Sequence, residues 1–366
     1  METDFAIIGG GVVGLSVAWG LLKRGKRVVV LDGGDGSFRA SRGNFGLVWV
    51  QSKGIKQPRY AAWSQQSAAA WAGFADELSD ATGHDMSLEQ TGGYDLHFSG
   101  ETLTKTVAQY EELKAKLDGN YPYDVLDRKA LLTEEPEIGP KVVGAILHHQ
   151  DGHVNPLKLL RSLADDVRRL GGRVLNEKTV TDVRKSDVFT ISCADGSHVQ
   201  ADKVILSAGL GAMELGPKLG FKAPIRPQRG QVMITEKLPK IINRPSLIAR
   251  QVDEGGVQIG ATNEEVGLND GVTQPGLSGL ASEAVAAYPV LAKAQLVRSW
   301  GALRILSPDG LPIYQESPEM TGAFLVTCHS GITLAAAHAR FLPDWLEGTN
   351  VAPNLEVFSE DRFVIS

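Results

Sequence analysis

Gly9, Gly11 and Gly14 fall at G-x-G-x-x-G spacing behind a short apolar run at residues 5–8. An acid, Asp32, follows about twenty residues after them. Each part has a mechanical use. The first glycine permits a tight turn, the second lets a pyrophosphate approach the backbone, and the third lets a helix pack close to a strand. The N-terminus of that helix faces the anion, and Asp32 is placed to accept hydrogen bonds from ribose hydroxyls. Glycine-rich turns are common, so the spacing alone is weak. Strand, helix, second strand and acid together point to a bound dinucleotide, without saying which one.

Other residues could serve the same ligand. Ser41, Arg42 and Asn44 lie in a stretch rich in Gly and Ser. Alone it reads as a flexible surface loop; behind a dinucleotide motif it reads as a loop wrapping the ligand. Ala208 and Gly209 follow a strand at 203–207 and offer a second wall. His148, His149 and His153 invite a metal reading, but an Asp-Gly turn separates them and no carboxylate cluster supports it, so no metal site is expected.

The elements that position these residues follow from pattern. Residues 5–8 and 27–31 read as buried strands flanking a helix at 15–24 that ends at Gly25. An Ala-rich helix spans 60–78, with Trp63, Trp71 and Phe74 as core anchors. Segments 91–98 and 145–149 have strand character, with a charged helix at 101–117 between them. Asn155-Pro156 starts a helix that ends at Gly171-Gly172. Strands follow at 173–175, 178–184 and 188–193. Segments 224–235 and 256–262 predict a second sheet, entered through the Pro-rich crossover at 224–227. A helix at 277–286, a strand at 324–327 and an Ala-rich helix bearing His338 and Arg340 complete the chain.

Composition bounds the class. The chain has 366 residues, 43% hydrophobic and 22% charged, as in ordinary soluble enzymes of two domains or one composite one. A net charge of -6 gives no general attraction to nucleic acid or an anionic membrane. Cys193 and Cys328 form no C-x-x-C, so neither a disulfide framework nor a zinc site is indicated. With no basic leader region and no bilayer-length apolar run, a soluble, cytoplasmic protein without an integral membrane segment is expected.

The chain resembles the D-amino-acid oxidase (DAO) superfamily of FAD enzymes, which includes glycine oxidase, sarcosine oxidase and the opine oxidases. Eight segments carry the resemblance in one order over nearly the whole chain: IIGGGVVGLSVAWGLLKRGKRVVVLD, ASRGNFGLVWV, DGHVNPLKLLRSL, VILSAGLGA, IRPQRGQVMIT, GVQIGATNEEVG, WGALRILSPDGLPI and CHSGITLAAAHA. It implies an α/β plus α+β fold: a Rossmann-like FAD-binding domain with an inserted substrate domain on a mainly antiparallel sheet. The FAD-binding domain is expected at 1–84, 145–220 and 300–366, and the substrate domain at 85–144 and 221–299.

By motif position the resemblance assigns Gly9, Gly11, Gly14 and Asp32 to the ADP half of FAD. It assigns Ser41, Arg42, Asn44, Gly46 and Leu47 to the pyrophosphate and isoalloxazine. Val180 is expected on the adenine, Ala208 and Gly209 on the ADP moiety, and Gly301, Gly331, Ile332 and Thr333 near the flavin ring. Asp32 stands where many flavoproteins of this fold carry Glu.

Arg304 lies where relatives such as glycine oxidase hold the substrate carboxylate, and a guanidinium fork suits that task at any working pH. An ordinary surface or salt-bridge arginine is the alternative. Two departures shape the expectation. Sarcosine oxidases attach flavin through a Cys shortly after this arginine, but here the stretch reads ILSPDG, so FAD is expected to bind non-covalently. Glycine oxidase has a second arginine where this chain has His329-Ser330-Gly331. A one-arginine clamp follows unless Arg59, Arg229 or Arg250 reaches in.

The implied reaction is oxidation of a C–N bond alpha to a carboxylate, with hydride passing to flavin N5 and the imine hydrolysing to an oxo acid and an amine. No strong base is required, which suits the absence of a His-Asp or Cys-His pair. His329 would tune the amine's protonation, hydrogen-bond the flavin or serve structure alone. The motifs sit nearest the opine-oxidase-like branch, known for secondary amines with two carboxylates; iminodiacetate, sarcosine and glycine fit the same chemistry. Oxygen or an electron-transfer partner would reoxidise the flavin. The other readings are a D-amino-acid or D-proline/hydroxyproline dehydrogenase of this superfamily, an NAD-dependent dehydrogenase, and a flavoprotein without turnover.

Overall fold

A computed structural model describes residues 2–34 and 40–363. Its centre is the opening strand Glu2–Ile8, which pairs in parallel with Val28–Leu31 on one side and His198–Leu206 on the other. Arg173–Leu175 extends the sheet past Val28–Leu31, and Ala323–Thr327 extends it past His198–Leu206, both in parallel. Ile313–Glu316 forms an antiparallel edge, and the hairpin Val180–Lys185/Phe189–Cys193 attaches to His198–Leu206. Together these make an eight-stranded sheet among the described residues.

The period-2 pattern sorts the core. Phe5, Ile7, Val28 and Val30 point into one cluster, with the helices Val12–Lys23, Pro58–Thr82 and Pro156–Arg169. Ala6, Ile8, Val29 and Leu31 point into a second, with Phe189, Ile191 and Leu215. Strands covered on both faces read as continuous apolar runs, which is why this part was visible as strand. Asn155 caps the helix Pro156–Arg169, its side chain accepting from the amides of Leu157 and Lys158 at 3.1 and 3.2 Å.

Besides the two-stranded pair Leu47–Val48/Gly152–His153, two larger sheets among the described residues lie beyond this core. Ala249–Gln251, Gly256–Gly260, Arg226–Lys237 and Leu296–Leu306 form an antiparallel sheet in that order. One face, with Met233, Ala249, Val257 and Ile259, packs on the helix Gln274–Ala287. The register Gln228↔Arg304, Gly230↔Ala302 and Val232↔Trp300 puts these residues on the opposite face. The third sheet sets Gly144–His148 between Gly93–His97 and Tyr123–Asp127. Residues 145–148 and 300–306, expected with the nucleotide-binding half, therefore pair inside the antiparallel sheets.

Glu135 ties this outer region together. It is fully buried and accepts from the Asn243 amide at 2.8 and 3.1 Å and from the Tyr288 hydroxyl at 3.3 Å. Burial pushes its carboxyl up from 4.5 to about 7, against the pull of those donors and the Arg244 charge. The folded chain thus keeps a proton that the unfolded chain releases between those pH values, and this contribution to stability declines as pH rises through the window. In Glu135→Gln the decline is removed, so melting temperature plotted from pH 4.5 to 7 should tilt upward relative to the parent. Parallel curves would contradict the assignment.

The start of Val12–Lys23 is the tightest junction. A Cβ on Gly14 would stand 2.0 Å from the Gly9 carbonyl oxygen and 2.6 Å from Ser207 Oγ. Gly14→Ala is expected to cost about 1–3 kcal/mol by overpacking, read as a lower melting temperature.

Candidate active site

The register Ile8↔Leu31 and Ile8↔Leu206 ends three parallel strands at one level. Beyond their carboxyl ends lies a cleft of about 660 Å³, the position at which open α/β sheets take ligands. Gly9 has φ +114°, and a Cβ there would meet the Ser207 carbonyl oxygen at 2.4 Å, so only glycine fits the turn. Gly9, Gly11 and Asp32 form one wall of the cleft. Asp32 Oδ2 accepts from the Gly10 amide at 2.7 Å and Oδ1 from the Gly34 amide at 2.8 Å, so the acid also fixes the glycine turn.

Ser41, Arg42 and Asn44 line the cleft beside the motif helix. Ser41 Oγ accepts from the Val12 amide at 3.0 Å, at the helix N-terminus where an anion is favoured. A Cβ on Gly11 would lie 2.9 Å from that hydroxyl, so the bare backbone lets the loop close in. Val180, Ala208, Gly209, His329 and Gly331 line the cleft too, with Ala208 directly against the Gly9 turn. Helix N-terminus, open glycine turn and strand-end acid fit the ADP part of FAD. The fit rests on shape and donors at once.

The other expected residues lie outside the cleft lining. Gly14 is spent on the helix–strand junction. Leu47 pairs with His153 in a two-stranded sheet, and Ile332 is core. Thr333 is a brace: its Oγ1 accepts from the Trp49 amide at 3.1 Å, and its carbonyl accepts from Ser67 and Trp71. Gly46 lies against Arg250, and a Cβ on Gly301 would meet the Asp270 carbonyl oxygen at 2.2 Å.

Arg304 sits on the sheet face that looks onto the loop at 43–46, where Trp300 Nε1 donates to the Gly43 carbonyl at 3.2 Å. Its half-buried guanidinium lies over Gly230 and donates to the Thr262 carbonyl at 2.7 Å, with longer contacts to the Arg229 carbonyl and Gln228 Oε1. Among the described residues no carboxylate pairs with it, and desolvation lowers its pKa. Of the other arginines weighed, Arg229 is taken up by Glu264 through two bonds at 3.0 and 3.1 Å. Arg59 is exposed. Arg250 is buried, bound to Gln258 and His153, and stands over the Phe45 ring.

Sequence reasoning missed two residues at the other end of this loop. Lys53 donates to Ser330 Oγ, 277 positions away, and no local pattern separates it from a surface lysine. Asp151 is fully buried and accepts from the Val50 amide and Gln51 Nε2, which pins the loop; burial raises its carboxyl to about 7. Ser330 Oγ also accepts from Tyr60 at 2.9 Å, so its own proton is left for His329 Nδ1 at 3.4 Å. That favours His329 with its proton on Nε2. The ring is open to the cleft yet enclosed by protein, and desolvation, then the Lys53 and Arg304 charges, hold it neutral. His148 and His153 are buried; Tyr121 packs on the first, and Arg250 donates to the second.

Comparison with known proteins fits this geometry. The family of FAD dependent oxidoreductases termed DAO matches residues 4–345. An opine oxidase polypeptide of Agrobacterium tumefaciens (strain Ach5) is 39% identical over 99% of this chain and 98% of its own length. The crystal structure of glycine oxidase from Geobacillus kaustophilus aligns over 100% of both chains with a TM-score of 0.92 at 26% identity. Iminodiacetate oxidase from Chelativorans sp. BNC1 shares the fold, with a TM-score of 0.86 at 21% identity over 97% of this chain and 98% of that one. The composite α/β plus α+β architecture is thus that of glycine oxidase, and the cofactor is FAD. This chain belongs to the DAO family of FAD-dependent oxidoreductases.

Proposed function

We propose that the protein oxidises the C–N bond of a small amine bearing a carboxylate. The substrates range over N-carboxymethyl amines such as iminodiacetate or sarcosine, opines and glycine, and the products are an oxo acid and an amine. One observation carries this reading: among the described residues, the half-buried Arg304 guanidinium bonds to neutral oxygens only, beside the cleft that takes the flavin. A cation kept out of water without an anion is costly, and a substrate carboxylate supplies the missing charge. The 39% identity to an opine oxidase polypeptide supports the same substrate class.

Bound FAD supplies the two-electron acceptor for the hydride. The chain's own residues orient and exclude. Arg304 fixes the carboxylate and with it the direction of the Cα–H bond, which is catalysis by positioning. His329, neutral and carrying its proton on Nε2, is a donor in the cleft wall and not a strong base. A His329 of such low basicity is consistent with hydride loss from carbon, which asks for no proton abstraction there.

The flavin is held without a covalent link. Cys328 lines the cleft, but burial raises its thiol to about 12, so the nucleophilic thiolate is disfavoured. Acid precipitation should leave all yellow colour in the supernatant; colour retained in the pellet would overturn non-covalent binding.

Purified protein should be yellow and bleach without oxygen when a carboxylate-bearing amine is added. A colourless protein that loads with NAD would sink the proposal. A peroxide assay on readmitting air then separates oxygen from an electron-transfer partner as the acceptor. Arg304→Ala should raise KM for such amines by about 100-fold, the loss of a charge-assisted bidentate contact, with the visible flavin band intact. Unchanged KM would remove Arg304 from the carboxylate site.

A further inference from the structure

Among the described residues, Arg304 is one of two cations acting on His329 that have no carboxylate partner. The other is Lys53, half-buried near the end of the loop that starts at Gly43. Its ammonium donates to Ser330 Oγ and lies 5.7 Å from the centre of the Tyr60 ring. Among the described residues no carboxylate is within ion-pairing reach of it. Asp151 is the nearest acid acting on it, but that carboxylate is committed to the Val50 amide and Gln51.

Three features make Lys53 more than a structural lysine. An ammonium has three donors, and Ser330 takes one, so the others remain for a ligand. Ser330 is joined on its other sides by Tyr60 and His329, which fixes the ammonium beside a residue of the cleft wall. Lys53 reaches His329 through Ser330, and Arg304 shares its strand with Leu303 and Ile305, which line the cleft together with His329, so both cations stand beside the same cleft wall. Neither lines the nucleotide cleft, so the phosphates of the dinucleotide do not supply their counter-charge. Two partly desolvated cations with no acid among the described residues to pair with leave a site short of two negative charges.

We propose that Lys53 is a second carboxylate anchor, and that Lys53 with Arg304 selects secondary amines bearing two carboxylates over those bearing one. This rests on Arg304 holding the first carboxylate. The turn His329-Ser330-Gly331 carries no arginine, and the second charge comes instead from Lys53, seated on the serine of that turn.

The test uses FAD-loaded protein and two ethers without an amine, oxydiacetate and methoxyacetate, which differ by one carboxylate. Calorimetry should give oxydiacetate an affinity at least about 10-fold higher than methoxyacetate, the worth of one charge-assisted contact. In Lys53→Met the ratio of the two affinities should fall towards one, and Lys53→Arg should restore it. In turnover, Lys53→Met should lower kcat/KM for iminodiacetate far more than for sarcosine. A Lys53→Met protein that keeps the parent's ratio, or loses iminodiacetate and sarcosine turnover equally, overturns the anchor. Arg304→Ala separates the two ideas: it should weaken both ethers, and if it weakens neither, the Arg304 reading falls while the Lys53 ratio still stands on its own measurement.

Discussion

The fold depends on one close approach of backbone to backbone. The helix Val12–Lys23 begins so near the strand ends that Gly9, Gly14 and Ser207 share a space with no room for a side chain. This contact sets the helix N-terminus level with the carboxyl ends of Glu2–Ile8, Val28–Leu31 and His198–Leu206. The cleft is the consequence. Asp32 and Ser41 then hold the turn and the helix end through backbone amides, so the nucleotide wall is stiff where an anion must be met without rearrangement.

A second constraint governs the reacting side. The segment from Gly43 to Lys53 is held from three directions: Trp300 at its start, Thr333 at Trp49, and Asp151 at Val50 and Gln51. The antiparallel sheet presents Arg304 to this segment from above, while the segment's own end presents Lys53 to the turn at Ser330. The cations come from elements far apart in sequence, and their relative position depends on all three braces. Among the described residues neither cation has an acidic partner, whereas Arg229 is paired with Glu264 in a purely structural contact, and the proposed carboxylate site rests on that difference.

What sequence could reveal follows from how locally each feature is encoded. The parallel strands were legible because burial on both faces writes runs such as residues 28–31, and the glycine motif was legible because sterics forbid anything else there. Tyr123–Asp127 was not, since Asp124, Leu126 and Asp127 break the alternation an edge strand would show, nor was Ile313–Glu316, a short edge strand. Leu296–Leu306 is broken in pattern by Arg298, Gly301 and Arg304, although Arg304 itself stood out through the resemblance. Of the residues lining the cleft, Val180 was named only through the resemblance, while Gly9, Gly11 and Asp32 were readable from spacing. Lys53 and Asp151 were not, because only tertiary contacts distinguish them from ordinary polar residues. Thr333 was singled out for the flavin ring, and its contacts show it bracing the strand beside it.

The most direct test of the account is the rate at which iminodiacetate reduces the bound flavin in the absence of oxygen, compared with its α-deuterated form. Bleaching of the visible band slowed severalfold by deuterium is the predicted result, since breaking the Cα–H bond oriented by the carboxylate is the step proposed for this site. An FAD-loaded protein whose band is untouched by iminodiacetate, sarcosine, glycine and opines alike would contradict it.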